Sequence, residues 1–328
     1  MTLAEKREIK KEELSTGSEV NTNIRFFFSF HSLPFLEKFK EEVRKNKPNI
    51  IIAEERPDPK FNLMVEGKIS IAEYMHGYTY PFPEYCINFY ELLRELRREG
   101  VRIAGLLPIL ASKDTYSAVR EAEERMNRSI QYGDFGGAVD AMLDIIAVHS
   151  QPLKLADEMR AREIAKRVKS GEWRGSILVE IGAGHTRVKN LLKKELEGFQ
   201  EVSVTSVYPV RKSVEEIFRK GVIDVYRPSD ELTRLYLYEK KPSEEMKRLI
   251  GARAVIHNLI IDISPENFKQ DLIYRATSIV NHLSYDECEK MFGEIIKMDT
   301  EMAFTYVDKY LKKRILDEYI RERIKKMS

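Results

Sequence analysis

The side chains best suited to chemistry stand at the ends of apolar runs. Phe26-Phe27-Phe28-Ser29-Phe30 leads into His31, and Ile177-Leu178-Val179-Glu180-Ile181-Gly182-Ala183-Gly184 leads into His185. A third run, Ile50-Ile51-Ile52-Ala53, ends on Glu54-Glu55. Two imidazoles and a carboxylate brought together make either a metal site or an acid–base site. Neutral imidazole nitrogens and a carboxylate oxygen suit a divalent metal and leave positions open for water and substrate. The same groups can carry protons near neutral pH. Side chains alternate across a strand, so only one of Glu54 and Glu55 points into such a site.

The elements that must position these groups follow from the pattern around them. Short apolar runs separated by long amphipathic segments predict an α/β fold, its mainly parallel sheet buried on both faces and flanked by helices. In such sheets ligands bind outside the carboxyl ends of the strands. Strands are expected at 24–30, 50–53, 101–107, 176–181 and 202–208. Helices are expected at 4–14 (a loose one), 33–45, 84–98, 115–130, 138–148, 152–169 and 186–196. Residues 61–83 give no clear element, and their aromatic cluster reads as a structured loop. Beyond Pro209 the pattern is helical (213–220, 229–238, 243–253, 265–283, 285–297 and 300–326), with one further strand at 255–263. The chain thus divides into a polar tail (1–22), an α/β domain (23–209) with a helical insertion at about 109–170, and a mostly helical C-terminal region (210–328).

Bulk composition narrows the function classes. Lys+Arg 55 nearly cancels Asp+Glu 53 among 328 residues, so the net charge of +2 gives no reason to expect nucleic acid or an anionic membrane surface as partner. A charged content of 33% with both signs balanced is also the pattern of ion-pair networks in thermophile proteins. Cys86 and Cys288 are far apart and belong to no Cys-x-x-Cys pair, which points to a reducing compartment. No apolar leader and no membrane-length apolar window is found, so a cytoplasmic protein is expected. The basic segment 311–327 carries Ile315, Leu316, Tyr319, Ile320 and Ile324. It reads as a solvated helix with one core-facing stripe, in a helical region that offers a face for homo-oligomer contacts.

Taken in order, these segments resemble the TraB/Tiki/ChaN superfamily, which includes erythromycin-esterase-like proteins. The first matching stretch is Phe28-Ser29-Phe30-His31-Ser32, then a helix, then Lys47-Pro48-Asn49-Ile50-Ile51-Ile52-Ala53-Glu54. The second is Arg160-Ala161-Arg162-Glu163-Ile164-Ala165-Lys166-Arg167-Val168, followed by Gly182-Ala183-Gly184-His185 at a strand end. The resemblance spans about residues 24–208. It implies a site of His31, Glu54, Arg160 and His185, with His31, His185 and Glu54 as ligands of a divalent metal (Zn, Mn, Fe or Co). Glu54 would take a proton from bound water, and Arg160 would hold an anionic group of a peptide or ester substrate. The chain departs from the pattern in two places. Phe28 stands where the first glycine is usual, and the third strand runs into Leu107-Pro108, where relatives often carry an acidic–basic pair.

Plainer readings compete at each position. His31 and His185 could be hydrogen-bonded strand-end histidines, and Arg160 could be an ion pair with Glu54 or Asp157, with Arg162 as the register-shifted alternative. His149, His257 and His282 read as core, boundary or helix-end residues, while His76 lies in the aromatic loop. Asp134-Phe135-Gly136 lacks the other parts of a kinase and reads as a helix start. Two other functions remain open. Val179-Glu180-Ile181-Gly182-Ala183-Gly184 resembles the first motif of S-adenosylmethionine-dependent methyltransferases, although Thr186 takes its third glycine position. A degenerate, non-enzymatic binding module of the same fold is the other.

Overall fold

The computed structural model describes residues 21–29, 31, 33–77, 83–106, 113–207, 227–261 and 270–327. Five strands form one sheet: β1 (Thr22–Ser29), β2 (Ile50–Ala53), β3 (Arg102–Gly105), β4 (Ser176–Gly182) and β5 (Val202–Val207). Their order is β3-β2-β4-β1-β5, and every pairing is parallel. This is the α/β architecture that the apolar runs imply. Short strands buried on both faces read as unbroken hydrophobic sequence, because neither parity faces water.

The register sets which residues share a side. Ile24, Phe26, Phe28, Ile50, Ile52, Ile177, Val179 and Ile181 belong to one buried cluster with Ala161, Ile164, Val168, Trp173, Val188 and Leu192. The last residues named come from helix α6 (Phe135–Lys169), the turn after it, and helix α7 (Arg187–Glu195). The opposite face presents Phe27, which meets Phe39 of α1 (Leu33–Asn46) edge-on at 5.2 Å. Phe39 in turn meets Phe89 of α4 (Pro83–Arg98) at 5.7 Å. Each such side chain contributes about 1.5–3 kcal/mol of burial. Phe28 is fully buried and stacks with Phe26 at 5.9 Å. Its φ is not positive, so the backbone there does not require the missing glycine.

Phe26 lies opposite Val179 on one flank of β4, and Ile52 opposite Val179 on the other. The carboxyl ends of β1, β4 and β2 therefore finish side by side, with Ser29 beside Gly182.

The chain divides into two compact units, residues 1–108 with 157–208 and residues 109–156 with 209–328. The first holds the sheet. The second holds α5 (Lys113–Tyr132), the first part of α6, and α8 (Pro228–Leu237), α9 (Glu244–Ile260), α10 (Gln270–Val280), α11 (Tyr285–Ile295) and α12 (Thr300–Met327). Its core includes Val139, Met142, Ile256, Phe292 and Val307.

Three expectations need correction. The strand at 255–263 is helix through Ile260. In α9, Ile250, Ala252, Ala254, Val255, Ile256, His257 and Ile260 are all buried, so the helix shows no single stripe and its apolar run imitates a strand. The segment 61–83, without a clear element in sequence, opens with two short helices, α2 (Pro59–Val65) and α3 (Ile71–Met75), capped by Asp58 and Ser70; the second takes in the start of the aromatic cluster, of which 78–82 lie outside the described residues. Third, the helices expected at 138–148 and 152–169 are one element, with Pro152 inside it. The expected helices at 4–14 and 213–220, the strand-end residues Phe30 and Tyr208, and Leu107-Pro108 lie outside the described residues.

Candidate functional site

The site grows from the ends of β1, β2 and β4 and from one turn of α6. After β2, the side chains of Glu54 and Glu55 part to opposite faces of the sheet. Glu54 continues the parity of Ile50 and Ile52 and meets α6. There Arg160 donates from Nη2 to Glu54 Oε1 at 2.5 Å, and His185 Nε2 lies 3.0 Å from the same oxygen. The backbone N–H of Gly182 donates to Glu54 Oε2 at 2.6 Å. Glu55 turns to the other layer, where Tyr90 and Tyr74 donate to its oxygens at 2.5 and 3.0 Å. Strand parity thus assigns Glu54, not Glu55, to the company of the histidines.

His31 follows β1 in a left-handed backbone conformation, φ +50°, and its N–H donates to Ser29 Oγ at 2.8 Å. That conformation costs a non-glycine residue about 1–3 kcal/mol. It places Nε2 3.4 Å from Glu180 Oε1 and 3.8 Å from Glu54 Oε2. Tyr85 donates to the same oxygen of Glu180 at 3.0 Å, and its ring lies 5.3 Å from the His31 ring. His185, in the short 3-10 turn after β4, also approaches Asp157, with Nδ1 2.6 Å from Oδ1.

Gly182 is what lets these groups converge. A Cβ there would lie 3.1 Å from Glu54 Oε2, 3.4 Å from His31 Cε1 and 3.8 Å from His185 Cδ2. The glycine of Gly182-x-x-His185 therefore leaves space for a carboxylate and two imidazoles at once. All four residues marked by the resemblance, His31, Glu54, Arg160 and His185, meet at this point.

The roles expected of two of them change. Arg160 is only 2% exposed and is committed to Glu54 and, through Nε, to the Leu106 carbonyl at 3.3 Å. It is the ion pair of the plainer reading and cannot clamp a substrate anion from solvent. Arg162 belongs to a separate cleft with Glu158, Leu191, Lys194 and Glu195. Glu54 likewise has its two oxygens occupied by donors. Asp157 entered the sequence reading only as a candidate partner of Arg160 and Glu180 only within a glycine motif, and Tyr85 was not marked at all. A signal existed for Asp157, which precedes Arg160 by one helical turn and so shares its face. Glu180 is a charged residue inside a buried strand, legible only as part of a methyltransferase-like motif. Among the other candidates, His257 bonds Thr277 at 3.1 Å in the second unit, and Asp134 accepts the Gly137 N–H at the start of α6.

Electrostatics divides these groups. Burial disfavours charge on Glu54, but His185, Arg160 and His31 outweigh it and hold the carboxyl well below its ordinary value. Burial also opposes charge on His31. The hydrogen bond to Glu180 and the charges of Glu180, Glu54 and Glu55 overcome it and raise the imidazole to about 9. His185 is raised as well: burial opposes its charge, and Glu54 and Asp157 prevail. Glu55 is raised, chiefly by burial and despite its tyrosine donors. Burial pushes His257 down to about 4.

A metal must find free lone pairs. Glu54 gives its oxygens to Arg160, His185 and Gly182, and both nitrogens of His185 face carboxylates. Among the described residues, no group of three or more His, Cys, Asp or Glu side chains is arranged to hold a metal ion. The residues as placed do not fit the metal that the resemblance implies.

Comparison with known proteins adds one relative of note. An uncharacterized protein of Archaeoglobus fulgidus is 24% identical over 264 residues, covering 74% of this chain and 89% of its own. No protein-family model matches the chain, and no solved structure matches it significantly. Among the described residues, no helix is long and apolar enough to cross a membrane.

Proposed function

We propose that this protein is a hydrolase of peptide or ester bonds in which His31 is the proton-transfer group. One observation carries the reading. His31, Glu54, the pair Glu180 and His185, and Arg160 come from four separate segments and meet at the carboxyl ends of adjacent parallel strands, where α/β proteins bind ligands. His31 is the reachable histidine of the cluster, its side chain 30% exposed against 9% for His185.

The chemistry follows from its neighbours. The neutral form of His31, which gains population as pH rises towards its value of about 9, takes a proton from water as the oxygen attacks the substrate carbonyl, so turnover should climb with pH up to that range. The imidazolium so formed is stabilised by Glu180 and Glu54, then gives the proton to the departing amine or alkoxide. The products are a carboxylic acid and an amine or alcohol, and His31 is returned neutral. Arg160 and His185 keep Glu54 ionised and fixed throughout. The substrate itself is set by surrounding loops.

The test is turnover of a panel of p-nitrophenyl esters and short peptides by wild type, His31→Gln and Glu54→Gln, beside elemental analysis of each. Loss of about 10²–10⁴ in turnover for His31→Gln is expected for a general base. Unchanged turnover in that variant sinks the reading. Stoichiometric metal in wild type, lost on His31→Gln, would replace it with a metal-assisted hydrolase. A second reading is favoured by the closure of the Arg160–Glu54–His185–Asp157 network: a binding module of the same fold. A wild type that turns over no substrate in the panel favours it.

A further inference from the structure

Asp157 has no part in the chemistry proposed above, yet its position is costly. It is 0% exposed, and its Oδ2 has no hydrogen-bond partner. Burying a carboxylate so incompletely satisfied costs several kcal/mol unless charge and hydrogen bonds return it. Two cations stand nearby. His185 Nδ1 is 2.6 Å from Asp157 Oδ1, and Arg160 Nη1 is 3.8 Å from the same oxygen.

The consequence lies on the far side of the imidazole. With Nδ1–H directed at Asp157, the ring is fixed in rotation and its Nε2 faces Glu54 Oε1 at 3.0 Å. Arg160, one turn along the same helix, reaches that oxygen directly. Helix α6 thus grips the Glu54 carboxylate twice, once through a guanidinium and once through a carboxylate acting across an imidazole. We propose that Asp157 is a positioning residue: through His185 it fixes Glu54 in the orientation that sets the second oxygen, Oε2, against Gly182 and His31. This rests on the hydrolase reading only for its effect on turnover. The positioning itself is independent of any substrate.

The experiment is proton NMR of the full chain with ¹⁵N-labelled histidine. A short, charge-assisted N–H···O bond in a buried site deshields its proton and protects it from exchange. Wild type should therefore show a low-field imidazole N–H resonance, absent in His185→Gln and moved to ordinary field in Asp157→Asn. Should Asp157→Asn fail to fold, the wild-type spectrum decides alone. A His185 Nδ1 proton at ordinary field, or none protected from exchange, overturns the proposal. In the hydrolysis assay, Asp157→Asn should lower kcat by about 10–100-fold, the order of loss when an outer partner that orients a site side chain is removed. KM should stay unchanged, with partial recovery in Asp157→Glu. A fall in kcat without the NMR change would also overturn it, since the loss would then not pass through the His185 bond. Absence of turnover in wild type would defeat the hydrolase reading and leave the resonance to be read as before.

Discussion

At the scale of single residues, the site is held by exclusion of alternatives for Glu54. Removing Arg160 as Arg160→Met leaves a carboxylate that is largely buried with one fewer cation. A loss of about 3–5 kcal/mol in unfolding free energy is expected from denaturant titration. A loss below about 1 kcal/mol would mean that water or another cation replaces the guanidinium. Gly182→Ala introduces a Cβ 3.1 Å from Glu54 Oε2 and pushes the carboxylate off its N–H donor. The expected cost is about 1–3 kcal/mol, the penalty for an unmade buried hydrogen bond. His31 makes the site sensitive to alkali. Its folded-state value of about 9 stands above the ordinary 6.5, so its contribution to stability is complete below 6.5 and fades as pH rises towards 9. The stability gap between wild type and His31→Gln, followed by urea melts across that window, should shrink with rising pH, by an amount that partial exposure and salt reduce. A gap that widens with pH would contradict the ion pairs with Glu180 and Glu54. His31, Glu54 and His185 were legible because each follows the end of an apolar strand, and Arg160, inside a helix, only through the motif 160–168. Asp157 and Glu180 gave weaker signals, one as a possible partner of Arg160 and the other within a glycine motif, since both lie inside elements where charge ordinarily marks a solvated face.

Among the elements, strand parity decides more than sequence motif. Glu54 and Glu55 differ by one position in the chain and occupy opposite layers, one beside Arg160 and the other beside Tyr74 and Tyr90. Strands β1, β2 and β4 were readable because burial on both faces leaves a nearly unbroken apolar run, whereas β5 alternates and β3 is partly exposed. The same logic misled at α9, whose buried residues occupy most of its circumference. Helix α6 shows the opposite case: Pro152 reads as a break, yet the helix continues through it. Proline keeps a helical φ but removes the N–H that would bond the carbonyl four residues back. Pro152→Ala should restore that bond and raise stability by about 1 kcal/mol or more, read as a higher Tm by circular dichroism. A lower Tm would show that the gap in the ladder is occupied by another donor.

For the molecule as a whole, composition and pattern were enough for the α/β class and for a helical C-terminal region. The division into two compact units was less legible, because residues 109–156 group with 209–328 across an intervening stretch of chain. The thiols report on both units. Burial pushes Cys86 and Cys288 up to about 12, and neither forms a disulfide. Native protein should react slowly with a thiol-specific dye, release its full thiol count on denaturation, and melt at the same temperature with or without reductant. Rapid labelling of the native chain would show that one of these sites opens. The sheet order carries a consequence for biosynthesis. β4 lies between β2 and β1, although it is fourth to leave the ribosome. Until it arrives, the first two strands share no neighbour, and Glu54 waits for an arginine 106 positions and a backbone amide 128 positions downstream. Closing spans of that length costs entropy before any contact repays it. While α6 is still being made, β2 can pair with β3 alone and β1 has neither of its partners, so the apolar β1 and the open edge of β2 are exposed together, the stage at which a holdase chaperone would act.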